Sequence, residues 1–349
     1  MTSRKIVYLD NFPAENAHEI LAGRPDILVE RITSDMDPDQ AFDILRTAHA
    51  FQQQPARDEV PPHLLVTREL LDRCPNLLIA SSGGSGCDTI DIPACTERGV
   101  MVVNQAGGNA EAVAEHALGM ILLLLKRVPE ADRKLRRGYE GTRSQLIGRN
   151  LYGRTVGIVG LGYVGSRMAR LLRHSFDCRV LAHDPYLTDA QFAERNAVSA
   201  SMQDVLTESD VVTVHVPLND ETRGMFAAPQ FEAMRKNAIF ITTARGEIHD
   251  EDALDQSLRS GHLGGAGLDV WASEPPSANH PLMDHDNVVV SPHTAGVTVD
   301  SRAYMAEYAA TQLIEMLDGK PATRPVNPEA ESDYIRNFRR IIGKAELIS

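Results

Sequence analysis

Three titratable residues stand just beyond apolar runs in the second half of the chain. Arg245 follows Ile239-Phe240-Ile241-Thr242-Thr243-Ala244, Glu274 follows Leu268-Asp269-Val270-Trp271-Ala272-Ser273, and His293 follows Val288-Val289-Val290-Ser291-Pro292. A guanidinium grips a carboxylate with two parallel hydrogen bonds, and an imidazole exchanges a proton with a carbonyl or hydroxyl near neutral pH. A carboxylate beside that imidazole fixes its tautomer and raises its pKa. Together the three suit proton-coupled chemistry on a carboxylic acid. Each alone has a plainer reading: Arg245 as a loop cap, Glu274 as a solvated side chain, His293 as a satisfied core histidine.

A second chemical signal lies upstream. Gly160-Leu161-Gly162-Tyr163-Val164-Gly165 sets G-x-G-x-x-G directly after the apolar run Val156-Gly157-Ile158-Val159 and before a helical pattern through Met168, Leu171 and Leu172. Gly160 permits a tight turn, Gly162 lets backbone approach a pyrophosphate, and Gly165 allows close helix–strand packing, with the helix N-terminus facing the anion. A further run, Arg179 to His183, ends at Asp184, 19 residues beyond Gly165. There a carboxylate accepts hydrogen bonds from ribose hydroxyls and repels a 2′-phosphate. Pro185-Tyr186 supplies no cation to offset that repulsion, so the expected cofactor is NAD rather than NADP.

The elements that must position these residues form two series of short apolar runs separated by helical patterns. The first contains Ile6 to Leu9, Ile27 to Val29, Leu77 to Ala80 and Val100 to Val103; the second contains Val156 to Val159, Val180 to Ala182, Val211 to Val214, Ala238 to Ile241, Ala266 to Leu268 and Val288 to Val290. Near-continuous apolar strands alternating with helices predict α/β architecture with parallel sheets covered on both faces. At 349 residues there is chain enough for two domains, each with its own core. Ala110 to Arg137 reads as one long helix with a wide apolar face, Asp300 to Leu317 as another, and Tyr334 to Ile342 as a short amphipathic helix returning to the first domain.

Lys and Arg total 35 against 48 Asp and Glu, a net charge of −13, which has the wrong sign for a phosphate backbone and excludes nucleic acid as the expected partner. The longest apolar run, Ala117 to Leu125, is too short to span a bilayer, and Asp10 interrupts the N-terminal apolar stretch too early for a secretory signal. No membrane partner is expected, and the predicted location is cytoplasmic. Cys74, Cys87, Cys95 and Cys178 form no C-x-x-C pair, and no metal site is expected.

The ordered set of motifs resembles the D-isomer-specific 2-hydroxyacid dehydrogenase family. It comprises Gly84-Ser85-Gly86-Cys87-Asp88-Thr89-Ile90-Asp91, Asn104 with Gly107-Gly108-Asn109, Val113-Ala114-Glu115-His116, and the glycine fingerprint ending at Asp184. Thr243-Ala244-Arg245-Gly246, Gly267-Leu268-Asp269-Val270, Glu274-Pro275-Pro276 and Ser291-Pro292-His293-Thr294-Ala295-Gly296 complete it. The resemblance implies two Rossmann-like domains, a doubly wound NAD-binding domain at 107–297 inserted into a flavodoxin-like substrate domain built from 1–106 and 298–349.

The resemblance also implies that Arg245 binds the substrate carboxylate, that His293 is the general acid/base, and that Glu274 pairs with it. It places backbone amides of Ser85 and Gly86 on the same carboxylate. It lines the cofactor with His215, Val216, Pro217, Thr243, Ala244, Arg245, Asp269, His293 and Gly296, beside the fingerprint residues. The implied activity is interconversion of a 2-oxo acid and a D-2-hydroxy acid by a homodimer, with a hydroxypyruvate- or glyoxylate-type substrate first and phosphoglycerate or another 2-hydroxy acid as the alternative. The Arg-Ser pair common in phosphoglycerate-acting members has no counterpart in Phe51-Gln52-Gln53-Gln54-Pro55-Ala56-Arg57. The stretch from Gln52 to Pro62 reads as a loop in which Gln53 and Arg57 bear on specificity. Glu274 stands where related formate dehydrogenases use glutamine, which disfavours formate, whereas phosphite oxidation keeps an Arg-Glu-His set. A reading from another class is an NAD(H)-sensing corepressor-like binding protein, although no charged tail or low-complexity segment is present to recruit its partners.

Overall fold

The computed structural model describes residues 4–343. The chain divides into two compact units, one of residues up to Asn109 together with those from Thr298 onward, the other of Ala110–Val297. The division falls three residues beyond the expected 106/107, so Gly107-Gly108-Asn109 belongs with the first unit.

In the first unit, β1 (Arg4–Leu9), β2 (Ile27–Ile32), β3 (Ala50–Gln53), β4 (Ile79–Ser82) and β5 (Met101–Val103) form a sheet in the order β2-β1-β3-β4-β5, with every neighbouring pair parallel. Side chains alternate across a strand. Ile6, Ala50, Ile79 and Met101 therefore meet helices Asn16–Ala22, Val299–Leu317 and Glu331–Ile341, whereas Val7, Phe51, Ala80 and Val102 meet Pro38–Leu45, Arg68–Arg73 and Ile92–Arg98. The expected amphipathic helix near the C-terminus docks through Tyr334 and Phe338. Asn327, fully buried, secures that return: its Oδ1 accepts from Val102 N at 2.7 Å and its Nδ2 donates to Val100 O at 3.0 Å.

β3 escapes the apolar-run reading because its C-terminal half is Gln52-Gln53, yet it is a central strand with both glutamines buried. Gln53 is therefore a strand residue rather than part of a solvated loop. Its Nε2 donates to Thr89 O at 3.1 Å, and Arg57 Nε donates to Asp88 O at 2.7 Å.

The second unit holds β6 (Thr155–Val159), β7 (Arg179–His183), β8 (Val198–Ser199), β9 (Val211–Val214), β10 (Ile239–Thr242), β11 (Gly265–Leu268) and β12 (Val288–Val290). Their order is β12-β11-β10-β9-β6-β7-β8, again parallel throughout. The order reverses at β6/β9, and a doubly wound sheet opens its ligand crevice at the carboxyl ends of the strands at such a point. Val156, Ile158, Val180 and Ile241 pack under Ala110–Leu125 and Tyr163–Phe176, and Val214, Phe240, Ala266 and Leu268 pack against the helices of the opposite face.

The expected single helix from 110 to 137 is two, Ala110–Leu125 and Val128–Arg136, with Arg127 left-handed at φ 55° between them. Pro129 has no N–H to continue the ladder. Leu125 O instead accepts from Arg149 N at 2.7 Å.

Candidate functional site

The fingerprint turn joins three strand ends. Gly160 N donates to His183 O at 2.9 Å, and His215 N donates to Val159 O at 2.8 Å. Gly160 is left-handed at φ 88°, and a methyl at Gly165 would lie 2.1 Å from Gly160 O, so both positions require glycine. At Gly162 an added Cβ would meet nothing within 4 Å. It caps the 14-residue helix Tyr163–Phe176, so open space lies where the first-turn N–H groups of Tyr163, Val164 and Gly165 attract an anion. Leu161 has its side chain in the core and reaches the crevice only through its backbone.

Asp184 is half-buried. Its Oδ2 accepts from Leu161 N at 2.9 Å and its Oδ1 from Tyr186 N at 3.1 Å, which aims the carboxylate across the glycine turn. Sequence reasoning missed Arg195, whose Nη1 donates to Leu161 O at 2.7 Å. No motif marks it, and it reaches the turn from 34 residues away. The turn thus carries a cation that Pro185-Tyr186 does not supply. His215 Nε2 hydrogen-bonds Thr213 Oγ1 at 2.9 Å, and burial pushes its pKa down to about 4, so the imidazole is neutral. Thr222 Oγ1 donates to Pro217 O at 2.6 Å and holds the loop that carries Val216 and Pro217.

The other predicted residues cluster at the ends of β10, β11 and β12. Thr243 and Ala244 are buried, and Arg245 Nη1 donates to Ala244 O at 2.8 Å. Gly246 lies so close to the next loop that a Cβ would fall 1.9 Å from Trp271 C, so glycine lets the arginine's turn pack against the segment bearing Glu274. Glu274 Oε1 accepts from Trp271 N at 3.1 Å, and its Oε2 meets His293 Nδ1 at 2.7 Å.

The pair polarises both partners. Burial pushes the Glu274 carboxyl up, but hydrogen bonds from His293 and Trp271 N outweigh it and hold the group below its usual range. The hydrogen bond to Glu274 raises His293 above its ordinary value against the opposing effects of burial and the Arg245 charge. With Nδ1 held by Glu274, Nε2 is the atom left for a substrate oxygen.

Asp269, expected along the cofactor, is fully buried beneath this histidine. Its Oδ1 accepts from Ser291 Oγ at 2.6 Å and Thr294 N at 2.8 Å, its Oδ2 accepts from Ala295 N at 2.9 Å, and its backbone O accepts from His293 N at 2.6 Å. It thereby shapes the turn running to Gly296, in which His293 is left-handed at φ 55°. His116 Nε2 hydrogen-bonds Ser291 Oγ at 2.9 Å, a second contact that no spacing pattern announces.

In the first unit, Ser85 and Gly86 lie on the loop after β4. Asn104 Nδ2 donates to Ser85 O at 2.8 Å, Gln105 N donates to Gly84 O at 2.9 Å, and Ser85 Oγ donates to Asn109 Oδ1 at 2.9 Å. The N–H groups of Ser85 and Gly86 make no hydrogen bond among the described residues. Among those residues there is also no group of three His, Cys, Asp or Glu side chains able to hold a metal, and no helix is long and apolar enough to cross a membrane.

Residues 118–295 match the family described as D-isomer specific 2-hydroxyacid dehydrogenase, NAD binding domain. The chain belongs to the D-isomer-specific 2-hydroxyacid dehydrogenase family. It is 39% identical over 268 residues to the glyoxylate reductase of Thermofilum pendens, covering 76% of this chain and 79% of that one. It is 38% identical over 271 residues to the D-3-phosphoglycerate dehydrogenase of Archaeoglobus fulgidus, covering 77% of this chain but 51% of that one, so it spans about half the length of that relative. The crystal structure of D-lactate dehydrogenase from Aquifex aeolicus, complexed with NAD and lactic acid, superposes with a TM-score of 0.76 at 25% identity over 99% of both chains. The dehydrogenase family binds NAD, and the open cradle at Gly162 with the Asp184 carboxylate across the turn fits that cofactor.

Proposed function

We propose that this chain interconverts a 2-oxo acid and the corresponding D-2-hydroxy acid, with a hydroxypyruvate- or glyoxylate-type substrate. The observation that carries the reading is the 2.7 Å His293–Glu274 hydrogen bond, which raises the proton affinity of an imidazole at the strand ends of an NAD-binding domain. NAD(H), when bound, supplies or accepts the hydride. His293 Nε2 gives its proton to the substrate carbonyl oxygen in reduction and takes it from the hydroxyl in oxidation. Arg245 holds the substrate carboxylate. Glu274 keeps the imidazole oriented and stabilises its charged form. Val216, Pro217, Thr243, Ala244 and Gly296 line the cofactor.

The end of β3 supports a small uncharged C3 group. Gln52 and Gln53 are buried neutral amides, whereas a phosphate needs a cation directed at it. The relatives include both glyoxylate reductases and phosphoglycerate dehydrogenases, so phosphoglycerate is the competing substrate. The Asp184 carboxylate favours NAD over NADP, although Arg195 on Leu161 O brings to the turn a cation that Pro185-Tyr186 lacks. A homodimer accounts for the exposed apolar Leu123 and Ile147, 36% and 71% accessible, which line one cavity of about 550 Å³ with Arg127 and Arg149.

The test is NADH oxidation with glyoxylate, hydroxypyruvate, pyruvate, phenylpyruvate, 2-oxoglutarate and 3-phosphohydroxypyruvate, with Arg245→Ala as control. Fast turnover of hydroxypyruvate or glyoxylate, lost in the control, is the expected result. Preference for 3-phosphohydroxypyruvate would overturn the substrate class, and a silent panel with intact NADH binding would overturn the activity.

A further inference from the structure

Behind the Glu274 carboxylate lies a second carboxylate–imidazole pair. Glu251, the first residue of helix Glu251–Arg259, accepts at Oε1 from Ala272 N at 2.8 Å and pairs through Oε2 with His280 Nε2 at 3.2 Å. Both side chains are largely withdrawn from solvent, at 17% and 18% accessible. The tautomer of His280 follows from its other nitrogen: Nδ1 accepts from Leu282 N at 3.3 Å, so the ring hydrogen is on Nε2 and is donated to Glu251. The His280 ring also meets the Trp271 indole edge-on, with centroids 5.2 Å apart.

Trp271 is where this arrangement touches the site. Its backbone N–H holds Glu274 Oε1, and its indole Nε1 donates to Ser291 O, two residues before His293. Further along, His285 Nε2 pairs with Asp255 Oδ1 at 2.7 Å, so the same helix holds the segment from Ala272 to His285 at both ends. That segment contains only the short 3-10 turn Pro281–Asp284 and depends on side chains to satisfy and fix its backbone.

We infer that Glu251 and His280 are positioning residues for Glu274, clasping the Trp271–Glu274 turn so that its carboxylate meets His293 Nδ1. Breaking the Glu251–His280 pair frees the Glu251 side chain from its fixed place on Ala272 N and lets the turn relax, and the charged form of His293 loses stabilisation. The inference rests on the reading of His293 as acid/base, and its test needs no turnover.

The His293 ring signals are titrated by NMR in the parent, Glu274→Gln, Glu251→Gln and His280→Phe proteins, the last keeping a ring against Trp271. The groups acting on His293 are Glu274, Arg245 and Asp269, none of which the two clasp variants alter. Both should lower the His293 pKa toward that of Glu274→Gln, and neither should lower it further when combined with Glu274→Gln. With an active substrate, kcat should fall roughly ten- to a hundredfold at unchanged NADH affinity, the cost of a misplaced catalytic group. If Glu274→Gln lowers the His293 pKa while Glu251→Gln and His280→Phe leave it unchanged, the clasp is overturned. If Glu274→Gln itself has no effect, the reading of the site fails instead.

Discussion

His293 and Glu274 are 19 residues apart in sequence and share one hydrogen bond, which sets the pH range for proton donation. The His293 pKa is raised above the ordinary histidine value, and in the proposed mechanism the protonated form is the acid in reduction, so reduction should decline as pH rises through that raised pKa. Glu274→Gln replaces the anion with a neutral amide, which stabilises the imidazolium less. Its declining limb should lie at lower pH, and kcat/KM for reduction above that limb should fall roughly tenfold or more. A pH–rate profile checks this, and an unmoved limb would remove Glu274 from its assigned role. Arg245, Glu274 and His293 were legible as candidates because their chemical types stood at strand ends, and the structure joins Glu274 to His293. Asp269 was legible as a residue of interest, but its commitment to the turn beneath His293 was not, because all four of its hydrogen-bond donors lie 22 to 26 residues further along.

For the elements, the glycine fingerprint makes opposite demands at neighbouring positions. A methyl at Gly165 collides with Gly160 O, part of the backbone, which no side-chain rotation relieves, whereas one at Gly162 meets open space. Gly165→Ala should therefore lower Tm and abolish NADH binding. Gly162→Ala should fold with Tm little changed but raise the Kd for NADH, because the methyl occupies space needed by the pyrophosphate. Thermal melts with fluorescence titration separate the two, and unimpaired NADH binding by Gly162→Ala would show that the cradle is not used. Apolar runs revealed ten of the strands, since sheets covered on both faces leave near-continuous apolar segments. They did not reveal β3, whose C-terminal half is Gln52-Gln53, buried with Gln53 Nε2 on Thr89 O but with both amide oxygens lacking a partner among the described residues, or the edge strand β8, whose two residues are exposed. Pro129 was visible in the sequence, but the pattern of apolar spacing across it hid the break.

At the scale of the whole molecule, the exposed Leu123 and Ile147 at the cavity rim give the proposed homodimer apolar surface to bury, against the repulsion between two chains of net charge −13. The proposed homodimer should sediment at twice the chain mass, and Leu123→Glu combined with Ile147→Glu should yield monomers by placing charge where apolar surface would be buried. A parent protein that sediments as a monomer at micromolar concentration would exclude this interface. The first unit also shows how distant chain ends combine into one core: Val299–Leu317 and Glu331–Ile341 cover a sheet whose strands all lie before residue 104.

The sequence by itself determined the parallel α/β class, the dinucleotide turn and the kinds of side chain available for chemistry. Those depend on short-range properties: apolar periodicity, glycine's access to left-handed backbone and close approach, and the position of a residue just past a strand. Only the tertiary structure decided which groups meet. The Glu274–His293 bond, Asp269 under its turn, Arg195 on Leu161 and the Glu251–His280 pair each depend on strand order and loop path, because a hydrogen bond forms only when both partners are brought within about 3 Å.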